Sequence, residues 1–319
     1  MAATSTARRR KAPRDPYQQV TDRILTELEQ GTVPWKKPWA ALSGVPALSL
    51  ATGKPYRGIN WMLTSMAGYE SPWWLTYKQA AERGAQVRKG ESGTPVFLWK
   101  TAKIRLNTAE KRRRAEQDGL KIRRDAKGEY AEAFMARTYT VFNAAQVDGL
   151  DPKLTPSGLV DGGPEWSQIE RCEQLLRKYG GGPKMLMGGT RATYNLRTDL
   201  VRMPDQGRFH QAGDWYATLF HELAHSTGHP NRLDRPTAQT PGDHRAYARE
   251  ELVAELAAAM LCAQAGIDSA PLVEQAAAYI ESWQRSLKAD NRLIVIAAQR
   301  AAKAADHILG RQALPTEEA

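Results

Sequence analysis

The residues best suited to chemistry lie in the segment FHELAH, which places two histidines and a glutamate in the order HExxH. On a helix, positions i and i+4 face the same side, so the imidazoles of His221 and His225 can reach one metal ion. Glu222 lies beside them, where its carboxylate can accept a proton from a water molecule. This spacing predicts one Zn²⁺ per chain, or Mn²⁺ or another divalent ion in its place, with Glu222 as the catalytic base.

A catalytic zinc needs a third protein ligand and an open position for water, and two residues compete for that role. His229 follows in HSTGHPN, but the HExxHxxGxxH pattern requires its third histidine at the position of Asn231. Glu251 and Glu255 lie one turn apart in the otherwise apolar segment REELVAELAAAML. Because an unpaired buried charge is costly, these acids either have partners or lie on a solvated face.

The spacing ExxAE resembles the ExxAD of the glutamate zincins, in which the first acid binds zinc and the second orients a ligand histidine. Carried over by position, this resemblance implies that Glu251 is the third ligand and that Glu255 accepts an imidazole N–H. The corresponding reaction is peptide hydrolysis. An extended peptide could lie along an edge strand within YNLRTDLVRMP. The candidate oxyanion stabilisers are Tyr194, His229, His244 and Tyr247.

The positive charge of the chain is concentrated in its first half. Residues 1–150 contain 26 Lys and Arg against 14 Asp and Glu, a net charge of +12, whereas residues 151–319 contain 19 against 21, a net charge of −2. Only the first half is therefore typical of a polyanion-binding protein.

Aromatic residues are interleaved with this basic charge, a combination that single-stranded nucleic acid requires for base stacking and backbone contact. A tryptophan taken singly is more often a core residue, so the prediction depends on the cluster as a whole. The candidate DNA contacts are Trp35, Lys36, Lys37, Trp39, Arg57, Trp61, Trp73, Trp74, Lys78, Arg88 and Lys89.

Hydrophobic periodicity predicts an α+β chain with two domains, a mixed α/β DNA-binding domain followed by a mostly helical domain with a small sheet. A Pro- and Gly-rich segment separates them. The predicted divisions are a disordered basic arm (1–14), the first domain (15–150), a linker (151–164), the second domain (165–310) and a tail (311–319).

Three further features limit the prediction. The charged residues at 107–132 are expected to form an exposed insertion, either a mobile loop or a protruding hairpin. Cys172 and Cys262 lie at apolar positions, which favours two buried thiols over a disulfide. No apolar run approaches the ~20 residues of a membrane span, so a cytoplasmic protein without a membrane partner is expected.

Two sets of segments resemble the ArdC-type antirestriction proteins of conjugative plasmids. YQQVTDRILTELEQGTVPWKKPW, YRGINWMLT and GAQVRKGESGTPV resemble the ArdC N-terminal domain, which is also found in plasmid DNA primases. FHELAHSTGHPNRLDR and YAREELVAELAAAML resemble the zincin-like metallopeptidase domain that accompanies it. The resemblance implies a protein that binds single-stranded DNA and protects incoming plasmid DNA from host restriction. It also implies a zinc-dependent peptidase whose partners are DNA-bound proteins or restriction enzymes.

Two other functions are consistent with the same residues. The chain could mask DNA while its metal site only stabilises the fold and cleaves nothing. A metal-dependent nuclease is disfavoured, because such enzymes usually have carboxylate-rich sites for Mg²⁺ or Mn²⁺. The change Glu222→Gln separates peptidase from masking protein, since it should remove the base and spare the metal ligands.

Overall fold

The computed structural model describes residues 15–36, 46–117, 121–151, 154, 165–235, 244–268 and 273–311. The predicted fold class is confirmed: strands and helices mix in the N-terminal region, and helices dominate after residue 165. Within these ranges, every helix is too short or too polar to span a bilayer.

The first helix, α1 (Pro16–Glu29), begins and ends as its sequence predicts. The Asp15 carboxylate accepts a hydrogen bond from the Tyr17 N–H at 3.0 Å. Pro16, at the first helical position, has no backbone N–H that would require a partner. Gly31 follows with φ +71°, a conformation that favours glycine. The helix buries the apolar face formed by Val20, Ile24, Leu25 and Leu28.

A five-stranded sheet organises the N-terminal region. Its strands are β1 (Leu48–Ser49), β2 (Trp73–Thr76), β4 (Thr94–Arg105), β5 (Ile122–Asp125) and β6 (Gly128–Asn143). The order is β1-β2-β6-β4, with β5 also pairing with β6. β1 and β2 run parallel and the other pairs are antiparallel. The remaining elements of this region are α2 (Ile59–Ser65), α3 (Tyr77–Ala81), β3 (Gln86–Val87), α4 (Ala109–Gln117) and β7 (Val147–Asp148).

The charged segment 107–132 is more ordered than the sequence suggests. It contains α4, then β5 and the start of β6, which pair antiparallel as a hairpin, so the hairpin alternative is confirmed and the helix was missed. A small core of Leu106, Ala115 and Ala131 holds the helix against the strands. Because α4 contributes one alanine to that core and is otherwise charged, its apolar periodicity is too weak to read from the sequence.

The second region combines five helices with a three-stranded sheet. The helices are α5 (Glu165–Leu176), α6 (Ala212–Ser226), α7 (His244–Ala265), α8 (Val273–Ala289) and α9 (Leu293–Ile308). The strands are β8 (Lys184–Met187), β9 (Thr193–Asn195) and β10 (Leu200–Met203), in the order β8-β10-β9. β9 and β10 form an antiparallel pair within the segment TYNLRTDLVRMP, whereas β8 was not predicted because KMLM shows no polar alternation.

One hydrophobic core runs through both regions. Trp35 meets Trp283 edge to face at a centroid distance of 5.4 Å. The Thr21 hydroxyl donates to the carbonyl of Asn291 at 2.8 Å. The two regions therefore fold against each other. The predicted arm, most of the linker and the residues of the tail beyond 311 lie outside the described residues, so the domain boundaries stay predictions. The thiols of Cys172 and Cys262 are both buried and free, as predicted.

Candidate functional site

Two packed helices supply the candidate metal ligands. His221 and His225 lie one turn apart on α6, and Glu251 lies on α7. Leucine, valine and alanine residues bury α7 on all sides in this part of its length. A carboxylate on such a helix must have a partner, and Glu251 meets both imidazoles.

The ligand atoms of these three residues converge on one point. The two imidazole Nε2 atoms are 3.1 Å apart, and the Glu251 carboxylate oxygens lie 3.5 Å from the His221 Nε2 and 3.4 Å from the His225 Nε2. Ligands about 2.0–2.1 Å from a shared tetrahedral ion would be separated by about 3.3 Å. The three residues therefore fit a divalent metal ion with one position left open. Among the described residues, these three are the His, Cys, Asp or Glu side chains whose ligand atoms lie close enough together to hold a metal ion.

Each histidine faces a second carboxylate at its other ring nitrogen. Glu255 lies 3.7 Å from the His221 Nδ1, and Glu250 lies 3.6 Å from the His225 Nδ1. Carboxylates in this position orient metal-binding imidazoles and raise their basicity. The predicted position of Glu255 is thus matched by a similar position for Glu250, which sequence reasoning did not identify.

A buried arginine holds Glu250. Arg235 donates to both Glu250 carboxylate oxygens, at 2.5 and 3.3 Å, and to the carbonyl of Ala224 at 2.9 Å. It also donates to the hydroxyl of Thr227. The arginine therefore ties the C-terminal end of α6 to α7 and fixes the carboxylate beside His225.

The electrostatics follow from burial and ion pairing. Burial raises the pKa of Glu250, but hydrogen bonds from His225 and Arg235 outweigh burial and lower it. Burial also raises the pKa of Glu251, and the two histidines lower it well below its usual range. For His225, burial lowers the pKa, yet the Glu250 and Glu251 carboxylates raise it well above its ordinary value. The two carboxylates thus stabilise the positively charged form of the His225 imidazole, and the imidazole stabilises their ionised forms.

A cleft of about 940 Å³ opens onto the three candidate ligands. Glu222 lines it beside His221, which places the predicted base and the ligands in one space. Thr193 and Tyr194 of β9 also line the cleft. β9 pairs with β10 along one edge, so an extended chain could add at the other edge.

The four candidate oxyanion stabilisers separate clearly. The Tyr194 hydroxyl donates to Asp199 at 2.9 Å, which commits its proton. The His229 Nδ1 accepts from the backbone N–H of Asn231, and this residue lies outside the three-ligand group. The side chain of His244 is outside the described atoms. Tyr247 also lines the cleft, with its hydroxyl 3.2 Å from that of Tyr279 and hydrogen-bonded to Glu251, so it lies beside a candidate ligand and its role stays a prediction.

Three of the tryptophans predicted to stack on bases are core residues. Trp35 and Trp74 are fully buried, and Trp61 is 8% exposed. A base cannot stack on an indole whose faces already pack against protein, so these three do not belong to a DNA surface. Trp73 is half-buried. Trp39 lies outside the described residues.

The predicted basic contacts divide in the same way. Arg57 is ion-paired with the buried Asp306 across the junction of the two regions, and Arg88 pairs with Glu91 and Asp148. These arginines have structural partners. The side chain of Lys36 and all of Lys37 fall outside the described atoms. Lys78 and Lys89 are the remaining predicted cations with described side chains, and both are exposed.

A third exposed group, missed by sequence reasoning, is the aromatic ring that precedes Lys78 in the sequence. Tyr77 begins α3 and is 53% exposed, and its hydroxyl accepts a hydrogen bond from the side-chain amide of Gln86 at 2.8 Å. We call Tyr77, Lys78 and Lys89 the α3 surface. It offers one aromatic ring and two cations to solvent.

Comparison with known proteins decides the family. Residues 14–142 match the N-terminal domain of anti-restriction factor ArdC, and residues 170–300 match a zincin-like metallopeptidase. The crystal structure of the metal-free antirestriction ArdC protein from plasmid R388 is 38% identical, covers 92% of this chain and 96% of that chain, and superposes with a TM-score of 0.72. The chain belongs to the ArdC family. The Mn(II)-bound structure of the R388 protein superposes with a TM-score of 0.70 at the same identity, over 92% of this chain and 97% of that chain.

Other relatives of this ArdC-family protein are longer or of similar length. Two proteins named DNA primase TraC from Escherichia coli are 40% and 37% identical over 92% and 96% of this chain, but the matches cover 27% and 21% of those primases. This chain therefore spans about a quarter of their length. The uncharacterized protein y4eC of Sinorhizobium fredii is 36% identical over 97% of this chain and 96% of its own.

Proposed function

We propose that this ArdC-family protein is an antirestriction protein that joins a single-stranded-DNA-binding region to a metal-dependent peptidase centre. The observation that supports the peptidase is the convergence of His221, His225 and Glu251 beside Glu222 in one open cleft. The R388 relative is described as an antirestriction protein, which supports the wider role. We expect this protein to act in the cytoplasm on incoming plasmid DNA.

The proposed ion is divalent, and zinc is our first choice. Two imidazoles and one carboxylate with an open fourth position are the donor set of catalytic zinc enzymes. Mn(II) occupies the R388 relative, so manganese is the competing ion. When bound, the ion would polarise a carbonyl and lower the pKa of a water molecule.

Different residues of the chain have separate roles in the proposed hydrolysis. Glu222 takes a proton on its carboxylate from the attacking water and passes it to the leaving nitrogen. Its 8% exposure limits the water that competes for that carboxylate. Tyr247, which lines the cleft and bonds to Glu251, is the proposed donor to the oxygen that becomes negatively charged. The proposed substrate is an extended segment of a DNA-associated protein, paired with the open edge of β9.

The experiment that tests the peptidase uses Glu222→Gln, which keeps the shape of the side chain and removes the base. A general base contributes about 10²–10⁴-fold to a rate, so we expect that loss of proteolysis with metal content unchanged. Plasmid protection is then measured with the same variant. Full protection by Glu222→Gln would favour a protein that masks DNA and uses its metal site only for folding, and would overturn the peptidase as the antirestriction activity.

The α3 surface is the proposed place of contact with single-stranded DNA. Stacking on one aromatic ring contributes about 1–3 kcal/mol per base, so Tyr77→Ala should weaken binding of oligothymidine about 5- to 150-fold. Tyr139→Ala, an exposed tyrosine on β6, is the matched control. Wild-type protein should prefer the single strand to a duplex of the same length at equal salt. Equal affinity for both would count against base stacking.

A further inference from the structure

A second pocket, separate from the metal cleft, lies between the N-terminal region and helices α7 and α9. Its volume is about 380 Å³, at the lower end of the ~300–1,000 Å³ range of small-molecule sites. One end carries charge, from Arg57, Asp306 and Arg311. The other end is apolar.

The charged end has more positive than negative groups. Arg57 donates to the Asp306 carboxylate, which is buried. Arg311 donates its side chain to the Gln264 amide oxygen at 2.9 Å and its backbone N–H to the carbonyl of Asp306. The carboxylate of Asp306 therefore pairs with Arg57, while the Arg311 guanidinium has a neutral amide as its partner. Burial, and then the positive charge of Arg311, lower the pKa of Arg57. An anion bound between the arginines would relieve that repulsion.

The apolar end is kept open by small side chains. Ala263 on α7 and Ala302 on α9 line the pocket where larger residues would fill it. Trp61 and Met260 contribute walls and are each 8% exposed. This part of the pocket is suited to a flat, weakly polar ring, and the adjacent amide of Gln264 can bond to polar atoms at the edge of such a ring.

We propose that this pocket binds one nucleotide unit, with its phosphate between Arg57 and Arg311 and its base against Met260 and the alanine wall. Planar guanidinium groups match phosphate oxygens in pairs. The pocket holds one such unit and not a longer strand. A free nucleotide and the phosphorylated end of a DNA strand present the same chemistry. If the ligand is the phosphorylated end of a DNA strand, the inference rests on the DNA binding proposed above. If the ligand is a free nucleotide, it does not.

The test is calorimetric titration of the full-length protein with deoxyadenosine and thymidine monophosphates. We expect binding by the wild type, with affinity reduced about 10- to 150-fold by Arg311→Gln, because hydrogen bonds to charged groups contribute about 1.5–3 kcal/mol. Ala263→Leu, which fills the apolar end, should reduce binding to a similar degree. Arg300→Gln, an exposed position on α9, is the matched control. Arg57 is left unchanged, because its loss would leave Asp306 buried and unpaired.

The two sources are separated by competition. A linear 5′-phosphorylated oligonucleotide should displace the monophosphate if strand ends bind, and a circular single strand should not. If neither strand displaces the monophosphate, the pocket is assigned to free nucleotides.

Two results would overturn the proposed nucleotide site. One is failure of both monophosphates to bind wild type at millimolar concentration. The other is equal affinities for Arg311→Gln, Ala263→Leu and Arg300→Gln. If single strands still bind in that case, the proposed DNA function stands alone. If monophosphates bind and no strand does, the DNA function fails and the pocket remains.

Discussion

The metal cluster on α6 and α7 and the α3 surface differ in what determines the position of each side chain. In the cluster the acids, His221 and Arg235 are buried, His225 is half-buried, and each has a charged neighbour, so each residue constrains the next. On the α3 surface, Lys78 has an 86% exposed side chain, and its partner Glu82 is 3.6 Å away and also exposed. Substitutions should therefore have large, specific effects in the cluster and small, salt-dependent effects on the surface.

The largest effect is expected from removing the cation that holds the cluster. Arg235→Met leaves Glu250 buried without its arginine, and breaking a buried ion pair costs about 3–5 kcal/mol. Urea unfolding of the metal-free protein measures the change. The matched control is Lys288→Met, whose pair with Glu29 at 3.1 Å is exposed and should contribute about 0–1 kcal/mol. Equal destabilisation of the two variants would remove the distinction between cluster and surface.

Removing a candidate ligand tests the cluster directly. Sharing the ~10–16 kcal/mol of structural zinc binding among four ligands gives about 3 kcal/mol each, so His221→Ala should weaken metal binding about 100-fold. Metal content after dialysis, measured by mass spectrometry, reports the change. His229→Ala is the control and should keep its metal. If His229→Ala lost its metal and His221→Ala kept it, the metal would have to bind at a site other than the one formed by His221, His225 and Glu251.

A smaller change is expected behind the ligands. Glu250→Gln keeps the size of the side chain but no longer stabilises positive charge on His225, and substitutions of such orienting carboxylates cost about 10–100-fold in metal affinity. Competition with a coloured chelator gives the affinity. Glu281→Gln, exposed on α8, provides the comparison. An unchanged affinity in Glu250→Gln would mean that Arg235 alone positions His225.

The smallest effect is predicted for the exposed lysines. Each lysine that neutralises one phosphate of a single strand adds about 0.7 to the slope of log affinity against log salt. Lys78→Gln combined with Lys89→Gln should therefore reduce the slope by about 1.4, with little change in protein stability. Lys184→Gln, exposed on β8, should leave the slope unchanged. A slope that stays the same in the double variant would move the DNA-binding surface away from α3.

The same contrast explains which features could be predicted from the sequence. His221 and His225 depend on a local helical repeat, so their common face was predicted and the structure brings them together. Glu250 was missed because its role depends on Arg235, which reaches it from a segment between the helices. Trp35 and Trp74 were assigned to the surface because composition says nothing about which aromatic rings pack inside. The pairing of β3 with β7 is non-local and equally hidden.

The aromatic contacts between the two regions have a consequence for dissecting the protein. Trp35 meets Trp283, which stacks on Tyr279 at 5.9 Å, and Tyr279 contacts Tyr247 at the edge of the metal cleft. An expression fragment cut at the linker would strip Trp283 of a neighbour and leave part of the cleft wall unsupported. The zincin-like half therefore depends on the N-terminal half for part of its cleft wall, and a ligand that shifts the N-terminal half would act on that wall through these aromatic contacts.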